Sequence, residues 1–395
     1  MKHRLMIAVF LLTASQGFAT TWLVGGDDGD FLDIPEAIAA ASDGDVILVR
    51  PGSSYSSFFL DKAVMVRASS TAVNVSHGFN IRDIPAGKKA GVSGFRIYFY
   101  GVQIEDCAGD VIIEDVERAF IETGLIDIRN CANVSIQGLQ ANTFSKEGTA
   151  LRVTNSKVRV TDFDITGADS VGGTAIRVTD SELTLANGTA TGGQGAYSCG
   201  TGGDGLAAVD SRVIILGNEQ DKIQGGEGGL EFLTNDLCGE GGDGIANLRS
   251  DITVSRVSIL GGSGVPDGDP LRGDPIVYDH RFPYLEKTGA FVPGGNMTLT
   301  LHVVDAGTAI MDFSLETGFF DLPQAIGPDL HVQPFGGWFY TLVVGPVAED
   351  GSISLPLTVP DEAFIQGFPI TFQGAVFNDQ GDLFLANAIT SVIGE

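Results

Sequence analysis

Between Val102 and Gly261 apolar and polar residues alternate in a pattern that returns six times: VQIEDC from Val102, IDIRNC from Ile126, LRVTNS from Leu151, IRVTDS from Ile176, LAAVDS from Leu206 and IANLRS from Ile245. The starts lie 24, 25, 25, 30 and 39 residues apart. An aliphatic residue opens each copy, and a small one, Cys107, Cys131, Ser156, Ser181, Ser211 or Ser250, stands five positions on. A second alternating run follows at Val111, Val134, Val158, Leu183, Val213 and Ile252. Alternation with a period of two is the mark of a strand with one buried face. Recurrence at a nearly fixed spacing is the mark of a solenoid. With short strands in every 24 or so residues and no helical stretch between them, the pattern predicts a parallel β-helix. Its interior columns would contain Ile126, Ile128, Leu151, Val153, Ile176 and Val178. The Asp or Asn before each small residue, as in Asp106, Asn130, Asn155, Asp180 and Asp210, suits a tight corner; only Arg249 breaks that column.

The two ends of the chain read differently. Met1 to Ala19 has a cationic start (Lys2, Arg4), an apolar middle and the small-x-small site Gly17-Phe18-Ala19, the features of a secretory signal peptide cleaved near Ala19. Its apolar core is about half the roughly 20 residues of a membrane span, so an exported protein without membrane insertion is expected. Residues 291–395 contain no Lys or Arg, twelve Asp or Glu, and eleven Phe with Trp338 and Tyr340. Their alternating runs, separated by Gly, Pro and Asp turns, predict a β-sandwich with the aromatics as its core. The predicted organisation is a signal peptide (1–19), a β-helix (20–264), a boundary loop (265–290) and a sandwich (291–395).

The opening of the mature chain carries a resemblance. Ile34, Ala37, Ile38, Ala40, Ala41, Gly44, Asp45, Ile47, Val49, Pro51, Gly52 and Tyr55 form a short helix followed by a strand. The stretch is similar to the usual opening of right-handed parallel β-helix proteins of the pectin-lyase-like superfamily. The resemblance covers roughly residues 20–265 and implies an all-β fold whose open coil end is capped by that helix. The superfamily includes lyases, hydrolases, esterases, epimerases, adhesins and proteins with no known activity, so fold alone does not choose among them.

Candidate chemistry is sparse. The polygalacturonase-like segments N-x-D, D-D, G-H-G and R-x-K are not reproduced: Asp27-Asp28 precedes the cap, and His77-Gly78 lacks its first glycine. Glycine makes up 54 of 395 residues, concentrated in turns and loops, and the formal charge is -27. So acidic a chain disfavours nucleic acid and anionic membranes as partners. The repeat places Gln103, Asp127, Arg152 and Arg177 outward on successive coils, with Arg152 beside Arg177. Paired guanidinium groups suit a uronate carboxylate, and Asp127 with Arg152 also reads as a solvated ion-pair ladder. A neighbouring column, Asp115, Asp162 and Asn187, offers carboxylates for a base or an ion. Cys199-Gly-Thr-Gly-Gly-Asp204 and Cys238-Gly-Glu-Gly-Gly-Asp243 are one motif written twice. On adjacent coils it predicts a Cys199–Cys238 disulfide, and it leaves two readings of the loops: a calcium site at Asp204 and Asp243, or flexible glycine bulges. Cys107 and Cys131 read as stacked buried thiols. The sequence therefore points to a secreted scaffold or surface protein that binds polysaccharide or another cell-surface glycan, without a cofactor. The alternative is a lyase or hydrolase acting through the Asp/Arg column.

Overall fold

The computed structural model describes residues 20–52, 54–70, 73–98, 101–118, 125–142, 148–169, 171–217, 220–231, 234, 236–289, 291–303, 307–314, 317–320, 325–326, 330–332, 339–347, 351–361, 369–378 and 380–393. Met1–Ala19, Phe99, Tyr100 and Trp338 lie outside them. Nine parallel strands, from Phe58–Leu60 to Leu271–Gly273, stack into one sheet, called here the repeat sheet; a second parallel sheet stacks the runs that follow each repeat. Parallel strands joined by crossovers take the right-handed sense. Ladder pairing is in phase with the sequence repeat: Ile126, Leu151, Ile176 and Leu206 are successive partners, as are Ile128, Val153, Val178 and Ala208. All of these are buried, as the alternation predicts. The inner column ends at Asn247, whose side-chain amide donates to Ser250 O and to Asp274 O (both 3.1 Å), pinning the last coil.

In most coils two corners are single left-handed residues. Asp106, Asn130, Asn155, Asp180, Asp210 and Arg249 take positive φ where the repeat sheet turns into the second sheet. Short Asx side chains tolerate that conformation, and Arg249 adopts it as well. Behind this corner the small-residue column is a hydrogen-bonded ladder. Ser156 Oγ donates to Thr154 O (2.8 Å), while Ser156 N–H donates to Ser181 Oγ (3.1 Å); Ser181 and Ser211 repeat both contacts. At the next bend Asp115, Gly138, Asp162, Asn187 and Arg256 are left-handed. Gly138 takes this conformation at φ +65°, where glycine is unstrained.

The third corner contains the insertions, and they are ordered. Outgoing segments 192–195, 225–229 and 261–264 alternate with returning segments 200–203 and 239–242 through one continuous line of bonds. Gly193 N–H donates to Gly173 O (2.7 Å), Gly203 to Gly193 (2.9 Å), Gly226 to Gly203 (2.7 Å), Gly242 to Gly226 (2.8 Å) and Gly262 to Gly242 (2.8 Å). A Cβ at Gly193, Gly203, Gly226 or Gly242 would fall on a neighbouring carbonyl oxygen, so glycine is required by close backbone approach. The reading of these loops as flexible bulges is corrected: absent side chains let backbones pack into a hydrogen-bonded layer. Cys199–Cys238 bridges two of its returning segments (Cα–Cα 4.9 Å), as the repeated motif predicts.

Helix Ile34–Ala40 covers the first coil, with Asp33 at its N-cap and Ile34, Ala37 and Ile38 buried. Phe95 is interior and packs against Phe58, which stacks on Phe79. Strands Leu271–Gly273 and Val277–Tyr278 extend both helical sheets into the span read as a boundary loop. Strand Tyr284–Gly289 already belongs to the C-terminal module. There a three-stranded and a five-stranded, mainly antiparallel sheet enclose Leu299, Leu301, Met311, Phe372 and Ile389.

The module is docked on the outer face of the second sheet. Arg159 is fully buried there and its Nη2 donates to Thr390 Oγ1 (3.1 Å); burial pulls its pKa down to about 9. Ala186, Ile214 and Leu216 from the coils pack with Phe282, Tyr284 and Phe384. Ser391 Oγ accepts from Lys287 Nζ (2.6 Å) and donates to Gln137 Oε1 (3.1 Å). With the second sheet covered, the repeat sheet keeps its outer face open.

Candidate functional site

The open face is set by the polar half of the alternation. Its outward positions run, coil by coil, through Phe59, Asn80, Gln103, Asp127, Arg152, Arg177, Ala207, Ala246 and Arg272. A parallel row runs through Arg82, Glu105, Arg129, Thr154, Thr179, Val209 and Leu248. Five arginines thus stand on one sheet against two carboxylates, in a chain of formal charge -27. Arg152 and Arg177 are direct ladder partners, about 4.8 Å apart along the stack. Asp127 projects from this face as predicted but is nearly covered, because the Arg129 guanidinium bonds to it and Arg152 Nη1 lies 3.8 Å away. It therefore orients the arginines rather than meeting solvent. Arg177 is exposed. At the far end Phe59 is 56% exposed, with Arg82 over its ring at 5.3 Å. The aromatic end of this row has no counterpart in the sequence reading, because the early coils fall outside the clean repeat.

The second predicted column sits elsewhere. Asp115 and Asp162 occupy the left-handed bend beside the module, which accounts for their residue type without chemistry. Asp162 is half-buried, held by Asn187 and by Gln137 Nε2 (3.3 Å). Burial raises its pKa and that of Asp115, opposed at both by Lys287. Lys287 also lies 3.8 Å from Glu114. These carboxylates belong to the seam between coil and module, and the structure does not bring them together with Arg152 and Arg177.

Asp204 and Asp243 stack on successive coils and hold backbone: Asp243 N–H donates to Asp204 Oδ1 (3.2 Å) and Asp269 N–H to Asp243 Oδ1 (3.0 Å). Burial raises the Asp204 pKa against those bonds. The Arg272 guanidinium bridges both carboxylates, 3.3 Å from Asp204 Oδ2 and bonded to Asp243. Among the described residues no three His, Cys, Asp or Glu converge as a metal cage. A shallow depression of about 400 Å³ opens at the Asx corner, lined by Asn155, Lys157, Asp180, Glu182, Asp210 and Arg212. Its charges are largely neutralised in place, with Lys157 2.8 Å from Glu182 and Arg249 2.6 Å from Asp210.

The class of fold is thereby defined: a parallel β-helix, right-handed by the sense of its crossovers, with an appended, mainly antiparallel β-sandwich. No protein-family model matches the chain, and no curated protein does. Among solved structures it is similar to the enzymatically active domain of tailspike protein 2 from bacteriophage CBA120, at 10% identity and a TM-score of 0.29, covering 96% of this chain and 71% of that one. It is similar also to full-length tailspike protein 2 from Escherichia coli O157:H7 bacteriophage CAB120, at 9% identity and a TM-score of 0.29, covering 96% and 64%. Among the described residues no helix is long and apolar enough to cross a membrane.

Proposed function

We propose that the protein is an exported, non-catalytic surface or matrix scaffold that binds acidic polysaccharide across the outer face of the repeat sheet. The observation that carries this reading is the ladder pairing of Arg152 with Arg177, beside Arg129, on the face that the module leaves uncovered. Two unit charges at about 4 Å repel by roughly 1 kcal/mol even in water; Asp127 offsets part of this for Arg129 and Arg152, and Asp204 lies near enough to act on Arg177. A ligand with regularly spaced carboxylates relieves the remaining repulsion, and the planar guanidinium fork suits a carboxylate. Neutral glycan would gain neither effect. Signal-peptide cleavage near Ala19 and the Cys199–Cys238 bond are consistent with an oxidising, extracytoplasmic setting.

The test is retention on immobilised polyuronate beside a neutral polysaccharide, with product formation read in the same samples. The parent is expected to bind the acidic polymer, to release no product, and to lose retention steeply as salt shortens the screening length from about 10 Å at 0.1 M. Arg152→Ala combined with Arg177→Ala should abolish retention and leave the melting temperature nearly unchanged, since Arg129 still pairs the covered Asp127 carboxylate. Retention that survives the double substitution, or equal retention on the neutral polymer, rejects the site.

A further inference from the structure

Cys107 and Cys131 stand at equivalent positions on adjacent coils. Glu105 pairs with Arg129 in the ladder, Asn130 Nδ2 donates to Asp106 Oδ1 (2.8 Å), and Ala132 N–H donates to Cys107 O (2.8 Å). Equivalent positions on neighbouring strands lie about 4.8 Å apart, inside the Cα window of about 4.4–6.8 Å that a disulfide accepts. The chain already contains a bond with this relation, since Cys199 and Cys238 are also equivalent residues of successive coils, at a Cα–Cα distance of 4.9 Å.

The ladder gives no reason for sulfur at these two positions. On the next coils a serine hydroxyl reaches the carbonyl two residues back at 2.8, 2.6 and 2.7 Å. The thiols make the same contact more weakly, Cys107 Sγ to Glu105 O at 3.3 Å and Cys131 Sγ to Arg129 O at 3.1 Å. Both thiols are buried.

We propose that Cys107 and Cys131 are an oxidisable dithiol that closes to a second inter-coil disulfide when the protein folds in the presence of a small-molecule disulfide. The thiolate of either cysteine attacks one sulfur of the oxidant, expelling one thiolate and forming a mixed disulfide. The other cysteine gives its proton to the expelled thiolate. Its own thiolate then attacks the protein sulfur of the mixed disulfide and expels the second small thiolate, which is protonated from solvent. Two protein thiols are oxidised to one disulfide while one small disulfide is reduced to two thiols. Burial of both sulfurs places the exchange before or during coil closure, so the measurement starts from unfolded chain.

The full chain, reduced and denatured, is refolded in a buffer of oxidised and reduced glutathione, then unfolded in excess maleimide and mapped by peptide mass spectrometry. The expected result is no alkylated cysteine and two cross-linked pairs, Cys107–Cys131 and Cys199–Cys238. A variant with Cys199→Ser and Cys238→Ser should lose its two remaining thiols to a single bond; if it does not fold, the parent map decides alone. Cys107 and Cys131 recovered as maleimide or glutathione adducts while Cys199–Cys238 has formed, or found in any other pairing, overturns the proposal.

Discussion

Val153→Asp is expected to unfold the protein at a far lower temperature than the parent, with a loss of about 3–5 kcal/mol, the usual cost of an uncompensated buried charge. Val153 is fully buried between Ile128 and Val178 in the inner column. A carboxylate there meets only aliphatic side chains above and below, so it must either ionise without a partner or stay protonated without one. Thr154, the next residue, faces outward on the same strand and is half-buried. Thr154→Asp is the matched control and should change stability by no more than about 0.5 kcal/mol. Thermal unfolding of both variants checks the register: a mild effect of Val153→Asp with a large one of Thr154→Asp would mean that the inward and outward rows are exchanged.

Gly203→Ala is expected to cost about 1–3 kcal/mol, the range for overpacking a filled site. The added methyl would fall on Gly173 O, in the line of bonds through which Gly193 and Gly226 also pass. The neighbour that must yield is backbone, so no rotamer change relieves it. Gly44→Ala makes the contrast: it has positive φ but nothing within 4 Å of a Cβ, and its cost reports conformation alone, about 1–2 kcal/mol. Amide exchange separates the two. Faster exchange at Gly193 and Gly226 should accompany Gly203→Ala and not Gly44→Ala, whereas unchanged exchange and an unchanged unfolding midpoint would contradict the layer.

The interior columns were legible because a period of two leaves little choice: Ile126, Ile128, Leu151 and Val153 can all be buried only in one register. The disulfide was legible because Cys199 and Cys238 sit in the same motif on successive coils. The glycine layer was not, since what selects glycine at 193, 203 and 226 is contact between backbones, and no side-chain pattern records it. The setting of Asp115 and Asp162 was hidden for a related reason. A left-handed bend and an acid–base column favour the same residue type, and only φ and the Lys287 side of the seam tell them apart. The docked face of the second sheet was equally hidden. Arg159 looks solvent-facing in sequence, yet it is buried against Thr390, more than two hundred residues away along the chain. Of the proposed binding face, the Arg152–Arg177 pair was legible from the repeat. Its end at Phe59 was not, and the near-complete burial of Asp127 depends on Arg129, two residues along the same strand.

The claim that the repeat sheet is a binding face for polyanionic glycan is tested most directly by arginine footprinting. The protein is treated with an arginine-selective dicarbonyl at low salt, with and without soluble polyuronate, and modification is mapped by mass spectrometry. The account predicts protection at Arg152 and Arg177, and none at Arg96 or Arg281, which pair with Glu117 and Asp279 away from that face. Protection at Arg96 or Arg281 with Arg152 and Arg177 still reactive, or bound polyuronate that protects no arginine, would contradict it.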